Sequence, residues 1–255
     1  MPFSIASGNA LLAGLSKHDL RMMASRLRSV ELESGKVLHE WGKPVLDVYF
    51  PITAVISLLA ASSEGSLIEA AVVGSEGIVG FPAAMTRSPF PFRAVVQIAG
   101  KVGRVSGNIV ATILYHDQEM QRHLGAYVNV LMVQLAQSAI CNNRHTVEQR
   151  LARWLLATRA RTRLTLLPMT HELLSNVLGT TRPMVTIAAR TLKKADLIAY
   201  RRGIIQITNP AGLAQAACPC YEIVHRELAA FLKLCDFKSH PFLAGDASRF
   251  RADIK

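Results

Sequence analysis

The spacing of apolar residues divides the chain into a β-rich first half and a helical second half. From residue 35 to 106, short apolar runs such as "AVISLLA" and "LIEAAVV" are separated by Gly, Pro and Ser, a pattern typical of an antiparallel barrel or sandwich. Residues 1–30 are predicted to form short helices, one of them capped by Ser16 with Asp19 in its first turn. Together these patterns predict an α+β fold.

A continuous helix is predicted from about Asp117 to Cys141, because this stretch contains no proline. Apolar residues recur along it with alternating spacings of four and three, at Leu124, Val128, Leu131 and Leu135. Such a heptad seam packs either within its own chain or against a twin helix, and about three heptads leave both alternatives open. The following "CNNRH" interrupts the pattern, so we expect a hinge at 141–144 before another helix, "TVEQRLARWLLATRAR".

Two short helices joined by a tight turn are predicted over about 171–178 and 182–194. Thr170 is an N-cap candidate for the first helix, and Thr180 or Thr181 for the second. Gly179 stands where the chain must turn, which completes the helix-turn-helix pattern.

The chain after these helices predicts a wing and a final helix. "LIAYRRGIIQIT" has the pattern of two short strands joined at Arg202-Gly203, and "AGLAQAACPCYEIVHRELAAFLK" has that of a helix. Residues 235–255 are predicted to be a loose polar tail.

The second helix of the pair has a cationic side opposite an apolar one. Arg182, Thr186, Arg190 and Lys193 share one side at helical spacing. In the DNA major groove Arg182 would pair with guanine O6 and N7, and Thr186 would touch a thymine methyl or a phosphate. Arg190 and Lys193 are expected at phosphates. Flanking residues expected to contact DNA are Thr170, His171, Thr181, Tyr200, Arg201 and Arg202.

The charge supports a polyanionic partner. The formal net charge is +11, and residues 144–202 carry twelve Lys and Arg against three acidic residues. A concentrated positive field favours nucleic acid or an anionic membrane over a merely solvated face. We expect no membrane span, since no run of about 18 apolar residues occurs. The first residues do not resemble a secretory signal, so a cytoplasmic protein is expected.

Enzymatic and metal chemistry are not predicted. His171-Glu172 lacks the second His of an HExxH site, and no GxxxxGK[ST], GxSxG or GxGxxG occurs. The four cysteines match neither a disulfide framework nor a zinc site, and Cys218-Pro219-Cys220 is too short for a CxxC pair. We therefore expect reduced thiols, no metal and no cofactor.

Several segments resemble the CRP/FNR-type bacterial transcription regulators. The most specific are "MTHELLSNVLGTTRPMVTIAARTLKKADLI" with the wing, and "NRHTVEQRLARWLL" before it. "GKVLHEWGKPVLDVYFPITAVISL" is similar to the opening strands of a cyclic-nucleotide-binding β-roll, and "GSEGIVGFPAAMTRSPFPFRAVVQ" to its phosphate-binding cassette. The resemblance implies a homodimer along the long helix, through the seam above. It also implies a pseudo-palindromic DNA operator with half-sites one helical turn apart, and a contact with RNA polymerase.

The resemblance also implies domain boundaries. Residues 1–116 would form the β-roll, 117–143 the dimerisation helix and hinge, 144–234 the winged helix-turn-helix domain with its C-terminal helix, and 235–255 the tail.

The resemblance carries over unevenly at the effector site and in the recognition helix. Arg93 matches the arginine that meets the cyclic phosphate, but Ala94 replaces the next hydroxyl residue. Phe81, after Gly80, replaces the glutamate that holds the ribose. Cyclic AMP is therefore not the expected effector, and Arg93 is a remnant, an ion-pair partner or a ligand for another anion. In the recognition helix Pro183 stands where the family commonly has glutamate, so the family's usual operator is not expected.

Two hypotheses about function follow. The first is a dimeric, sequence-specific DNA-binding regulator whose effector is unidentified or absent and whose winged domains rotate about the hinge. The second is a small-molecule-binding module that acts through protein or RNA partners without an operator. The cationic face favours the first, because a protein-docking helix more often exposes apolar anchors. An FNR-like iron–sulfur cluster is not expected, since the N-terminal region has no cysteine.

Overall fold

The computed structural model describes residues 7–61, 65, 67–162 and 164–237. The predicted tail therefore lies almost wholly outside the described residues. The elements follow in the order α1 (Ala10–Ala13), α2 (Lys17–Ala24), β1 (Arg28–Leu32), β2 (Val37–His39), β3 (Asp47–Pro51), β4 (Val55–Ala61), β5 (Leu67–Val73), α3 (Ala83–Thr86), β6 (Arg93–Ile98), β7 (Gly100–Ser106), α4 (Gly107–His116), α5 (Gln118–Arg144), α6 (Val147–Thr162), β8 (Leu166–Pro168), α7 (His171–Leu178), α8 (Arg182–Lys194), β9 (Ile198–Arg201), β10 (Ile204–Ile207), α9 (Pro210–Ala216) and α10 (Cys220–Leu234).

The first half is a β-roll of two antiparallel sheets, with strand orders β1-β7-β3 and β2-β6-β4-β5. This confirms the predicted fold class and the strands expected between residues 35 and 106. Strand β4 is buried over its first five residues, as a β-branched and apolar run in a sheet core should be. Strand β1 was not predicted, because its sequence "RSVEL" is mostly polar and only Leu32 is buried.

Helix α5 lies against this β-roll, and the residues of the predicted seam lie at the edge of the contact. Leu124 is 2 % exposed, Val128, Leu131 and Leu135 are half-buried, and Leu131 and Leu135 pack on the same core as the β-roll. At least three of the four seam residues therefore contact their own chain, and the pairing of the seam with a second chain stays a prediction. Heptad spacing identifies a face of the helix that packs against something, but it does not tell whether that face packs on its own chain or on a second one.

An exposed stripe, at Gly125, Asn129, Met132, Ala136 and Ile140, lies next to this seam, about 100° further around α5 and opposite the buried residues of the helix. Met132 is 62 % exposed and Ile140 is 47 % exposed. By length and composition alone α5 is also long and apolar enough to cross a membrane, with a hydropathy of 1.4 over its most apolar window. The side of α5 opposite the exposed stripe packs on β5 and α10. A helix that packs on one side and is exposed on the other is the usual arrangement at the edge of a core.

A second core is built by α6, α7, α8 and a three-stranded sheet of order β8-β10-β9, and it also takes in Val55, Val72 and Ile98 of the β-roll. The predicted final helix is in fact two helices, α9 and α10, because the chain breaks at Ala217–Pro219. Helix α10 contacts both cores: Leu228, Phe231 and Leu232 are buried in the first, and Tyr221 packs on the second.

Two buried polar contacts join the halves. Trp154 Nε1 of α6 donates to Glu69 Oε1 of β5 at 3.0 Å, and Ser57 Oγ donates to Glu69 Oε2 at 2.6 Å. Arg161 Nε donates to Glu76 Oε1 at 2.7 Å, and both side chains are almost fully buried. Burial raises the pKa of Glu69 to about 7, so this contact between the halves is sensitive to pH near neutrality.

Candidate nucleic-acid interface

Helix α8 is held on the domain by a buried apolar stripe. Val185, Ala188, Ala189 and Leu192 are all less than 5 % exposed, at the spacing of one helix face. Before it, Gly179 has a φ of 55° and ends α7 in the left-handed region that favours glycine. The predicted helix-turn-helix is thus confirmed as a rigid unit with one face of α8 left uncovered.

The structure places every predicted DNA-contacting side chain outside the core. Exposed positions are Thr170, Thr181, Arg182, Arg190, Lys193, Arg201 and Arg202, and half-buried ones are His171, Thr186 and Tyr200. Thr181 precedes α8 but makes no capping hydrogen bond through its side chain. The first turn of α8 contains no acidic residue, so the positive end of the helix dipole and Arg182 reinforce each other.

His171 connects the two helices to the wing. Its Nδ1 lies 2.9 Å from Thr186 Oγ1, and its ring stacks on Tyr200 with centroids 4.5 Å apart. Thr186 Oγ1 also lies 3.0 Å from the carbonyl oxygen of Arg182. Burial, followed by the charges of Arg182 and Arg190, lowers the pKa of His171. The ring is therefore mostly neutral at pH 7, and it acts by positioning its neighbours rather than as a cation for a phosphate.

This network also narrows the expected role of Thr186. Its hydroxyl is engaged with His171 and with the backbone of its own helix. The methyl group is the part left to contact a thymine methyl, whereas a phosphate contact through the hydroxyl would break a bond inside the fold.

The centre of the exposed face of α8 was missed by the sequence prediction. Pro183, Ile187, Arg190 and Lys194 lie diametrically opposite the buried stripe, and Ile187 is 51 % exposed. Arg190 was predicted, but Pro183, Ile187 and Lys194 were passed over because the prediction followed helical spacings from Arg182 and not from the buried stripe. Placing the residues of α8 by angle, with the buried stripe as reference, would have found them.

The predicted wing is confirmed. Strands β9 and β10 pair from Ile204↔Arg201 to Ile207↔Ile198, and Arg202 and Gly203 join them with φ values of 48° and 78°. Two consecutive positive φ values are typical of a tight hairpin turn. The turn projects Arg201 and Arg202 from the domain, where they are exposed.

Comparison with known proteins agrees with this geometry. Residues 149–216 match the family model of the Crp-like helix-turn-helix domain. No curated protein matches the sequence. Among solved structures, FixK2 from Bradyrhizobium japonicum has 17 % identity and a TM-score of 0.64, over 75 % of this chain and 98 % of that one.

Two further structures are similar. The c-di-GMP-responsive global regulator CLP from Xanthomonas campestris has 13 % identity and a TM-score of 0.61, covering 75 % of this chain and 99 % of its own. A CRP/FNR-family transcriptional regulator from Thermus thermophilus has 19 % identity and a TM-score of 0.59, covering 74 % and 98 %. The chain has the CRP/FNR fold and a Crp-like helix-turn-helix domain.

In this chain the residues predicted to line an effector site do not form an open polar site. Arg93 Nε lies 3.1 Å from Glu40 Oε2 in a half-exposed ion pair, so of the three roles left open for Arg93 the structure supports the ion-pair partner. Ala94 is 0 % exposed. Gly80 is buried with a φ of 99°, and a Cβ there would lie 3.0 Å from His39 Nε2. Phe81 packs on the β-roll core.

One cluster brings together side chains that their spacing along the sequence did not connect. Cys141, His145, Cys218 and Cys220 place their ligand atoms within 4.8 Å of one another. All four cysteines are free thiols, as predicted. The local signal was present, since Cys141 and His145 are one helical turn apart and Cys218 and Cys220 are two residues apart. Motifs of closely spaced cysteines, such as CxxC, do not reveal this cluster, because the two pairs are distant in sequence and meet only in the fold.

Proposed function

We propose that this chain acts as a homodimeric, sequence-specific DNA-binding transcription regulator whose α8 enters the major groove. The observation that carries this proposal is the uncovered face of α8, which combines cationic and apolar side chains on a helix fixed by a buried stripe. A helix of this kind reads base edges through its first turns. Regulation would follow from contact with RNA polymerase, or from blocking it, in the cytoplasm.

Each exposed side chain suits a different part of the duplex. Arg182, at the start of α8, would pair with a guanine in the major groove. Ile187 and the methyl group of Thr186 would contact thymine methyl groups. Phosphate contacts, which add affinity without sequence information, would come from Arg190, Lys193, Lys194, Arg201 and Arg202.

Dimerisation would use the exposed stripe of α5. Its small residues, Gly125 and Ala136, permit close approach of a second helix, while Met132 and Ile140 supply apolar area. Pairing would bury apolar side chains that are otherwise left in water, and it would hold two α8 helices for the two halves of a pseudo-palindromic operator.

The dimer is tested by charge insertion at the stripe. Met132→Glu should shift the protein from dimer to monomer in analytical ultracentrifugation, because it places like charges opposite each other. Tyr115→Glu is the matched control: Tyr115 is 82 % exposed but lies on α4, so this variant should remain a dimer. A monomeric wild type, or equal effects of the two variants, would remove the stripe from the interface.

DNA recognition is tested by selecting duplexes from random oligonucleotides and measuring binding by fluorescence anisotropy against salt. The selected duplex should bind more tightly than random DNA and lose affinity steeply as salt rises. Arg182→Ala should lose about 1–3 kcal/mol of discrimination at one base pair per half-site. Arg201→Ala should weaken all sequences alike, and Lys101→Ala, in the β-roll, should change neither.

If Arg182→Ala weakens all sequences equally, the base-reading role is wrong. If the dimer shows no preference for any duplex, the chain would instead be a regulatory module that acts through protein or RNA partners.

We infer that cyclic AMP is not the effector, and that the β-roll serves another ligand or acts as a scaffold. Supporting this, Ala94 is buried and Arg93 pairs with Glu40, so a cyclic phosphate would have to displace an existing ion pair. Calorimetric titration with cyclic AMP should give no heat of binding. Saturable binding with one site per chain would overturn this inference.

A further inference from the structure

Three cysteines and one histidine meet where the long helix ends. Cys141 lies in the last turn of α5, and His145 follows Arg144 as the residue that caps the C-terminus of this helix. Cys218 lies between α9 and α10, and Cys220 is the first residue of α10. The three cysteines form a buried cluster separate from the two apolar cores, so their burial is not explained by either core.

The distances suit a single tetrahedral metal ion. Cys141 Sγ lies 3.4 Å from Cys218 Sγ, and Cys220 Sγ lies 3.6 Å from His145 Nδ1. Zinc bound at about 2.3 Å from sulfur and about 2.0 Å from nitrogen puts the edges of its tetrahedron near 3.6–3.8 Å. Because the four ligand atoms all lie within 4.8 Å of one another, small rotamer shifts would close them around one ion.

The surroundings provide positive charge for an anionic site. Three thiolates and one neutral imidazole around a divalent ion leave a net charge of about −1. Arg150 and Arg153 both interact electrostatically with Cys141 and Cys218. Burial, followed by the repulsion from Arg153, lowers the pKa of Arg150, and a negative metal centre would offset that repulsion.

The cluster also has the residue types of a structural zinc site. Three cysteine sulfurs and one imidazole nitrogen form a Cys₃His ligand set. An incoming ion would displace the protons of the thiols.

We propose that Cys141, His145, Cys218 and Cys220 bind one Zn²⁺ ion per chain in a closed, structural site. Four protein ligands leave no position for water or substrate, so the ion supplies stability rather than catalysis. The site joins the hinge after α5 to the start of α10, and it fixes the position from which α6 leads into the winged domain. Metal binding is independent of DNA binding, so either proposal can fail without the other.

The first test is Co²⁺ titration of the full-length chain, purified reduced and metal-free. The expected result is one Co²⁺ per chain, with the intense visible bands of tetrahedral cobalt and a near-ultraviolet thiolate-to-cobalt band, both abolished by added Zn²⁺. Octahedral, weakly coloured cobalt would overturn the proposal. So would a purified protein whose iron–sulfur absorption shows a multinuclear cluster in place of a single ion.

The second test compares variants with a matched control. We expect Co²⁺ affinity to fall by more than about 100-fold in each of three variants: Cys141→Ser, Cys220→Ser and His145→Ala. A loss of this size exceeds the one that follows when a residue that only hydrogen-bonds to a metal ligand is removed. Cys235→Ser is the control, since Cys235 is buried in the N-terminal core away from the cluster, and it should bind like the wild type. His145→Cys keeps four ligands and should retain the metal with a stronger thiolate-to-cobalt band, which separates loss of a ligand from loss of folding. Equal losses in Cys141→Ser and Cys235→Ser, or no metal in His145→Cys alongside an unchanged far-ultraviolet spectrum, would refute the site.

Discussion

The buried carboxyl of Glu69 should make the stability of this protein fall as pH rises towards neutrality. The pKa of Glu69 is about 7 in the folded chain, against an ordinary value of 4.5, because burial disfavours the charged form. Between these values the folded state holds a proton that the unfolded state has lost, so unfolding becomes easier as pH increases. The stabilisation is full below about pH 4.5 and is lost as pH passes 7.

The size of the effect follows from the shift. The shift from 4.5 to about 7 corresponds to about 3–4 kcal/mol, at about 1.4 kcal/mol per pKa unit. Glu69→Gln should remove this pH dependence, since an amide reproduces the protonated carboxyl. Its NH₂ can donate to Ser57 Oγ, and its oxygen can accept from Trp154 Nε1, in place of the present bonds.

The assay is urea unfolding from pH 5 to 8.5, followed by the fluorescence of Trp154, which is 1 % exposed. Wild type and Glu69→Gln should have similar free energies of unfolding at pH 5, and the variant should be the more stable by up to about 3–4 kcal/mol at pH 8. Glu33→Gln, at an exposed carboxyl, should follow the wild type. Parallel pH profiles for wild type and Glu69→Gln, or a less stable variant at pH 8, would refute the reasoning.

Three substitutions test the helix-turn-helix unit by thermal or urea unfolding. Gly179→Ala should lower stability by about 1 kcal/mol or more, because residue 179 has a positive φ and the added Cβ would lie 3.1 Å from Ile68; an unchanged midpoint would show that the turn relaxes freely. Thr170→Ala should cost about 1 kcal/mol, since it removes the cap on the backbone N–H of Leu173, and Thr170→Ser should restore most of it. Leu174→Ala should cost about 2–5 kcal/mol, because Leu174 is 0 % exposed, and a smaller loss would mean that the surrounding core collapses into the space.

The sequence by itself determined the local elements of this protein. Short apolar runs separated by Gly, Pro and Ser predicted the strands of the β-roll from residue 35 onwards, though not β1. Thr170, Gly179 and the stripe through Val185 predicted the helix-turn-helix, because caps, turns and helical faces depend on residues a few positions apart. The basic residues of α8 and of the wing were found in the same way, since their exposure follows from the opposite face being apolar.

Only the tertiary structure decided which faces meet. The heptad spacing at Leu124 left its partner open, and only the fold shows that Leu124 is buried within its own chain. His171 became a positioning residue only because the wing brings Tyr200 against it. Cys141 and Cys218 are 77 positions apart, and no periodic pattern in the sequence reports a contact of that range. Local propensity acts over a few residues, whereas packing joins distant segments, and both the cluster at His145 and the exposed stripe of α5 are products of packing.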